Sequence, residues 1–81
     1  MEKEILVLYD GVFEDGMAFH NMSTTIDSVE KIPEEVKRLQ DLGYLNISIE
    51  AVGQAYWLSD YSVEDICRYI AEDLAEEQER N

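Results

Sequence analysis

Apolar runs and turn residues alternate in the first part of the chain. Residues 5–9 (ILVLY) form a continuous apolar run of strand-forming residues, which predicts a central β-strand. Asp10-Gly11 and residues 14–16 (EDG) are typical of turns. Residues 17–22 then predict a returning strand that points Phe19 inward. The opening of the chain therefore predicts a β-hairpin.

A helical spacing of apolar residues follows a loop at residues 23–25 (STT). Pro33 suits the first turn of this helix and Gly43 suits its end, so we predict a helix from about residues 30–33 to 42. Asp27 or Ser28 is the expected N-cap. The apolar positions that define the helix are Val29, Ile32, Val36, Leu39 and Leu42.

Strict alternation marks the next segment, in which Leu45, Ile47 and Ile49 are separated by polar residues. Such a pattern predicts a half-buried antiparallel strand. Gly53-Gln54 is the expected turn into a last strand at residues 55–58 (AYWL), where Tyr56 and Trp57 point to opposite faces.

The second helix has the clearest pattern in the chain. Residues 62–65 (SVED) resemble a capping box, with Asp in place of the usual Glu or Gln. The apolar residues that follow have helical spacing: Val63, Ile66, Cys67, Ile70, Ala71, Leu74 and Ala75.

These elements predict an α+β fold in the order β-β-α-β-β-α. We expect a small antiparallel sheet of about four strands with two helices packed on one face. Residues 1–81 are expected to form a single domain, because the chain is near the size at which one core is barely sufficient. We expect residues 76–81 to be a frayed C-terminal end.

Charge is the strongest compositional signal: 19 acidic residues oppose 6 lysines and arginines, a formal net charge of −13. The acids are spread over both halves of the chain. A compact body with a radius of gyration of about 12 Å would be ~30 Å across. A duplex of that length carries roughly 18 phosphates, a similar density. We therefore exclude direct binding to nucleic acid or to anionic membranes.

The sequence shows no pattern of a membrane or signal segment and contains a single cysteine. No apolar stretch approaches 18 residues and no basic leader precedes an apolar run, so we expect neither a spanning helix nor a signal peptide. One cysteine excludes an internal disulfide and fits a reducing cytosol. We expect a cytoplasmic protein, found in the host cytosol if the gene is carried by a phage.

Catalytic and metal-binding patterns are not found in the sequence. Zinc needs three or four soft or carboxylate ligands, and Cys67 and His20 are the only soft ones. Cys67 lies on the apolar helical stripe, which favours a buried structural thiol. His20 beside turn residues favours a surface role over that of a general base. Residues 10–16 lack the alternating acids of a calcium loop. We expect no enzyme activity, cofactor or metal.

An acidic face on the second helix is the best candidate for partner binding. Its acids lie opposite the apolar stripe, and several lie near the C-terminus, where the helix dipole disfavours negative charge. Tyr69 lies beside them, and exposed tyrosine among carboxylates suits an interface with Arg and Lys. The predicted partner-binding residues are Glu72, Asp73, Glu76, Asp65, Glu64 and Tyr69, with the hairpin acids Glu14 and Asp15.

In size and charge the whole chain resembles the small acidic inhibitors of phages and mobile elements, the anti-CRISPR and antirestriction proteins that mimic DNA. Residues 56–66 (YWLSDYSVEDI) also look like the strand and capped acidic helix in modules of ArdA-type antirestriction proteins. The resemblance implies a non-enzymatic inhibitor of a host defence nuclease, either a CRISPR effector or a restriction enzyme. The partner would then be a basic nucleic-acid-binding protein.

An alternative function remains open. The chain would then be a small protein–protein interaction module or a homodimer that buries an apolar sheet face or helix flank, with acids that serve only solubility. Insensitivity of binding to reversal of Glu72 and Glu76 would favour this alternative over the inhibitor.

Overall fold

The computed structural model describes residues 4–79 and has an α+β fold. A four-stranded antiparallel sheet has the strand order β2-β1-β3-β4, and two helices pack on it. The predicted element order is confirmed. The elements are β1 (Ile5–Val12), β2 (Ala18–Ile26), a 3₁₀ turn (Val29–Lys31), α1 (Ile32–Asp41), β3 (Leu45–Ala51), β4 (Gln54–Trp57) and α2 (Val63–Glu79).

The first hairpin is longer than the sequence predicts. Asp10-Gly11 continues β1 instead of turning, and residues 23–25 lie in β2 instead of a loop. Register explains both corrections, because Leu8 pairs with Ser23 and Gly11 pairs with Phe19. Phe19 is half-buried, and the turn lies entirely within residues 13–17.

Two bulges flank the central strand β1. The register shifts by one residue in β2 at Asn21 and in β3 at Asn46, and both asparagines have a positive φ. Asparagine tolerates this left-handed conformation better than most residues. The second bulge corrects one prediction: Leu45 is 59% exposed, because the extra residue turns it away from the face that buries Ile47 and Ile49.

Helix boundaries agree closely with the sequence. Pro33 lies in the first turn of α1, and Gly43 follows its end with φ 87°. The predicted side-chain cap at Asp27 or Ser28 is wrong. Neither residue caps the helix, and Asp27 instead pairs with Lys31, with 2.8 Å between Oδ1 and Nζ.

Ser62 caps α2 as predicted, since its Oγ accepts a hydrogen bond from the backbone N–H of Asp65 at 3.2 Å. Two alanines of the predicted apolar stripe, Ala71 and Ala75, are exposed, so the buried face of α2 is narrower than predicted. The helix extends to Glu79. Of the predicted frayed segment, residues 80 and 81 lie outside the described residues.

One aliphatic core lies between the helices and the sheet. Its buried residues are Ile5, Val7, Ile26, Ile32, Val36, Leu39, Ile47, Ile49, Ala51, Ile66 and Ile70. The aromatic residues are not part of this buried set, although Tyr9, Tyr44 and Tyr56 are partly buried and pack against it. One aromatic group extends from the β1–β2 hairpin to the start of β3 and comprises Tyr9, Phe13, Phe19 and Tyr44.

The molecule is elongated, with principal extents of 48 × 23 × 18 Å and a radius of gyration of 13.4 Å. The sequence-based expectation of a body ~30 Å across is therefore too compact. Along 48 Å a DNA duplex carries about 28 phosphates. The net charge of −13 is about half of that.

Candidate functional site

The acidic surface of α2 is positioned by the apolar side of the same helix. Ile66 and Ile70 are fully buried, which directs the opposite side of α2 to solvent. Glu64 and Asp65 occupy the first turn, where the helix dipole stabilises negative charge, but the last turn of the described helix, which ends at Glu79, contains no base. We call Glu72, Asp73 and Glu76 the α2 acidic surface.

Arg68 neutralises one of the two acids in the N-terminal half of this face. Its Nη2 donates to Asp65 Oδ1 at 3.2 Å, and its guanidinium carbon lies 5.3 Å from the centre of the Tyr69 ring. The Tyr69 hydroxyl and the Asp65 charge raise the pKa of Arg68 further above its ordinary value. Within residues 4–79 no base forms an ion pair with Glu72 or Glu76, although the charge of Glu72 also acts on Arg68 at longer range.

A tyrosine cluster supports the α2 acidic surface from the side of β4. Tyr56 stacks on Tyr69 with ring centres 5.6 Å apart, and Tyr61 meets both rings edge-on. Tyr69 was predicted to lie exposed beside the acids, but it is half-buried within this cluster. The prediction that Tyr56 and Trp57 point to opposite faces is confirmed, since Tyr56 faces α2 and Trp57 lies opposite Ser48.

One short hydrogen bond fixes the orientation of Asp73. The hydroxyl of Tyr56 donates to Asp73 Oδ2 at 2.6 Å. This hydrogen bond, together with partial burial, raises the pKa of Tyr56 to about 12. The phenol thus remains protonated at neutral pH and holds the carboxylate in one direction. Sequence reasoning missed this pair, because residues 17 positions apart give no periodic signal.

A shallow depression of about 80 Å³ lies beside the α2 acidic surface, between the helix and the β3–β4 turn. It is lined by Val52, Gln54, Asp73, Glu76 and Glu77. Carboxylates beside an amide oxygen can accept hydrogen bonds from a lysine ammonium or an arginine guanidinium. The arrangement is chemically suited to a basic side chain of a partner.

The predicted hairpin acids lie at the other end of the molecule. Glu14 and Asp15 are in the β1–β2 turn, near the end where Asp10 pairs with Leu45 at the start of β3. The depression beside α2 lies at the far end of β3. Asp15 also has a local role, since its Oδ1 accepts a hydrogen bond from the backbone of Met17 at 3.0 Å. A single flat surface of a partner therefore does not contact both groups of acids.

A polar group around Asp10 was not found from the sequence. Asp10 accepts hydrogen bonds from the backbone N–H of Asn21 at 2.9 Å and from Asn46 Nδ2 at 3.0 Å. These bonds, the Asn21 one foremost, lower the pKa of Asp10. His20 Nδ1 lies 3.5 Å from the same carboxylate. The group joins the two bulges across β1, so its role is structural.

Neither candidate for redox or acid–base chemistry lies in a reactive environment. Cys67 is half-buried, and burial raises the pKa of its thiol, which keeps the sulfur protonated and weakly nucleophilic. His20 is largely exposed at the Asn21 bulge. Among residues 4–79, no three His, Cys, Asp or Glu side chains are placed to hold a metal ion.

In the described part of the chain, no helix is long and apolar enough to cross a membrane.

Comparison with known proteins identifies no relative of this chain. No protein-family model matches this chain, and neither a curated protein nor a solved structure matches it.

Proposed function

We propose that this protein is a non-enzymatic inhibitor that occupies a basic nucleic-acid-binding surface of another protein. The target class we infer is a host defence nuclease, as the resemblance to small acidic inhibitors implies. The observation that carries the proposal is the charge of the α2 acidic surface, which forms no ion pair with any base in residues 4–79 and lies beside a cluster of three tyrosines.

The spacing of acids along α2 supports this function. Seven acidic residues lie between Glu64 and Glu79, a span of about 22 Å at 1.5 Å per residue. That is an average of about one per 3 Å, close to the 3.4 Å between phosphates along one DNA strand. The similarity is to one strand, since the whole molecule has about half the charge density of a duplex of its length.

The placement of the acids assigns different roles to them. Glu72 and Glu76 are exposed and would meet Arg or Lys at the rim of the interface. Asp73 is oriented in advance by Tyr56, which lowers the conformational cost of binding. Asp65 is already paired with Arg68, so its contribution is expected to be smaller.

A competition assay tests the proposal. Purified restriction endonucleases and CRISPR effectors are each loaded with fluorescent duplex DNA, and the protein is added at increasing salt. We expect the wild type to displace DNA from at least one nuclease, with an affinity that falls steeply as salt rises. A complex that is unchanged at high salt, with the DNA still bound, contradicts the proposal.

The two separated groups of acids provide a matched control. Glu72→Lys with Glu76→Lys should weaken binding about tenfold or more, since each reversal replaces an attraction by a repulsion. Glu14→Lys with Asp15→Lys changes the net charge equally at the other end of the molecule. Equal losses from both pairs would mean that binding responds to total charge and not to the α2 acidic surface.

The open face of the sheet favours the alternative function, an interaction module. Leu6 and Leu8 lie on the side of β1 opposite the core, and Trp57 on the same face is 46% exposed. A contact on this face would bury apolar surface area and would not involve the acids of α2. Sedimentation of the wild type and of the Glu72→Lys, Glu76→Lys variant separates the functions, because a dimer that is equally stable in both supports the module.

A further inference from the structure

Strand β2 forms one outer edge of the sheet and, apart from the bulge at Asn21, lacks the usual protection of edge strands. Natural edges are short or carry charges or proline, which prevents pairing with another chain. β2 is nine residues long, whereas β4 at the opposite edge has four. Residues 16–26 also form the longest stretch of the chain without Asp, Glu, Lys or Arg.

The regular part of this edge is defined by the bulge. From Met22 to Ile26 the strand pairs with β1 in unbroken register, and the bulge at Asn21 interrupts the pairing beyond it. Among residues 4–79, no strand pairs with the outer side of this five-residue segment. Ser23 and Thr25 are exposed on the open face of the sheet, and Thr24 and Ile26 point to the helix side.

A groove of about 320 Å³ runs beside this segment, between the end of β2 and α1. Its lining is Ile26, Lys31, Glu34, Glu35 and Arg38. Two bases and two acids make this lining neutral within a chain of net charge −13. An added strand would direct alternate side chains toward the groove, as in known cases of strand addition.

We propose that the edge of β2 at Met22–Ile26 binds an extended segment of a basic partner protein, which adds a strand to the sheet. Side chains on one face of that segment would be apolar and enter the groove beside Ile26. Those on the other face would be Lys or Arg, next to Ser23 and Thr25.

The net charge of the protein favours a basic segment over a second copy of the chain as the binding partner at this edge. A second copy would bring another 13 negative charges to the same edge, and their repulsion opposes pairing. A basic segment gains attraction from the same charges without needing a charged residue on β2 itself. This interface is separate from the α2 acidic surface, because Asp73 and Glu76 lie beside the β3–β4 turn and β2 lies at the opposite edge of the sheet, beyond β1.

The test is an NMR titration of the full ¹⁵N-labelled chain with a seven-residue peptide of alternating lysine and valine, blocked at both ends. We expect shift changes and slowed amide exchange at Met22–Ile26 and at the groove. The control peptide has the same side chains but methylated internal backbone nitrogens, which removes the donors that strand pairing needs. It should bind at least about tenfold more weakly.

Two protein variants sharpen the assignment. Ser23→Lys with Thr25→Lys places like charges beside the lysines of the peptide and should weaken binding about fivefold or more. Ser23→Glu with Thr25→Glu should strengthen binding at the same exposed positions. The Glu72→Lys, Glu76→Lys variant should still show the β2 shifts, which keeps this result separate from the proposed inhibitor function.

Three results would overturn the proposal. The first is an absence of shifts at β2 at millimolar peptide, or shifts confined to α2. The second is equal binding of the methylated peptide. The third is protection of β2 amides that grows with protein concentration without peptide, which would identify a second copy as the occupant.

Discussion

Replacing Tyr56 by phenylalanine removes one hydroxyl from the tyrosine cluster and leaves the ring in place. The ring keeps its stacking contact with Tyr69, so the variant isolates the hydrogen bond to Asp73. That bond is short, at 2.6 Å, and its acceptor is a carboxylate. We expect the variant to fold normally with a lower free energy of unfolding.

The size of the loss follows from two arguments. A hydrogen bond to a charged group contributes about 1.5–3 kcal/mol. The pKa of Tyr56 is raised from 10.0 to about 12, and a pKa difference of about two corresponds to about 2.7 kcal/mol. Tyr56 is only half-buried, so solvent screens part of this energy. We expect a loss of about 1–2 kcal/mol at pH 7, measured by urea unfolding.

The same bond predicts a pH dependence. The folded-state pKa of Tyr56 lies above the unfolded-state value, so folding favours the protonated phenol. Its stabilising contribution is complete between neutral pH and about pH 10 and is lost as the pH rises from 10 to about 12. The wild type should therefore lose more stability across this window than Tyr56→Phe does.

A double-mutant cycle with Asp73→Asn tests the pairing itself. We expect a coupling energy of about 1 kcal/mol between the two positions. Tyr61→Phe is the control, because it removes a hydroxyl from the same cluster at a ring that is 41% exposed. If Tyr56→Phe costs no more than this control and the coupling is zero, Tyr56 does not orient Asp73.

Three further substitutions can be checked by urea unfolding at pH 7. Gly11→Ala should destabilise by about 1–3 kcal/mol, because the new Cβ would overlap the Phe19 ring and lie 2.8 Å from Tyr44 Cδ1; an unchanged midpoint would show that the rings separate freely. Val52→Asn should stabilise by about 0.5–1 kcal/mol, since a β-branched residue is strained at φ 44° in a turn that favours Asn-Gly; destabilisation would contradict this. Thr24→Val should stabilise by about 1 kcal/mol, because the Thr24 Oγ1 is buried without a hydrogen bond among the described residues; a loss would reveal a partner for that hydroxyl.

The sequence predicted the fold where one periodic signal dominates. Signals that are local or have a fixed spacing predicted the buried positions Ile66 and Ile70, the Ser62 cap and the helix end at Gly43. The structure contains each of these features. Errors arose where tertiary contacts override local preference. Asp10-Gly11 is typical of a turn, but pairing on both sides of β1 keeps it extended.

The candidate site was predictable only in part. Glu72 and Glu76 could be placed on the outer face of α2 from the helical period alone. The bond from Tyr56 to Asp73 and the neutralisation of Asp65 by Arg68 depend on side-chain positions that periodicity does not encode. The distance between the hairpin acids and the α2 acidic surface depends on strand direction and could not be read from residue spacing.

The separation of aliphatic and aromatic residues determines what optical experiments on this protein measure. The buried core contains only isoleucine, valine, leucine and alanine, so it contributes no fluorescence and no near-UV circular dichroism. Those signals come from the two aromatic groups at the periphery and from Trp57. A change in fluorescence can therefore report local opening of the periphery while the core stays folded. Agreement between fluorescence and far-UV signals would be a stringent test of two-state unfolding.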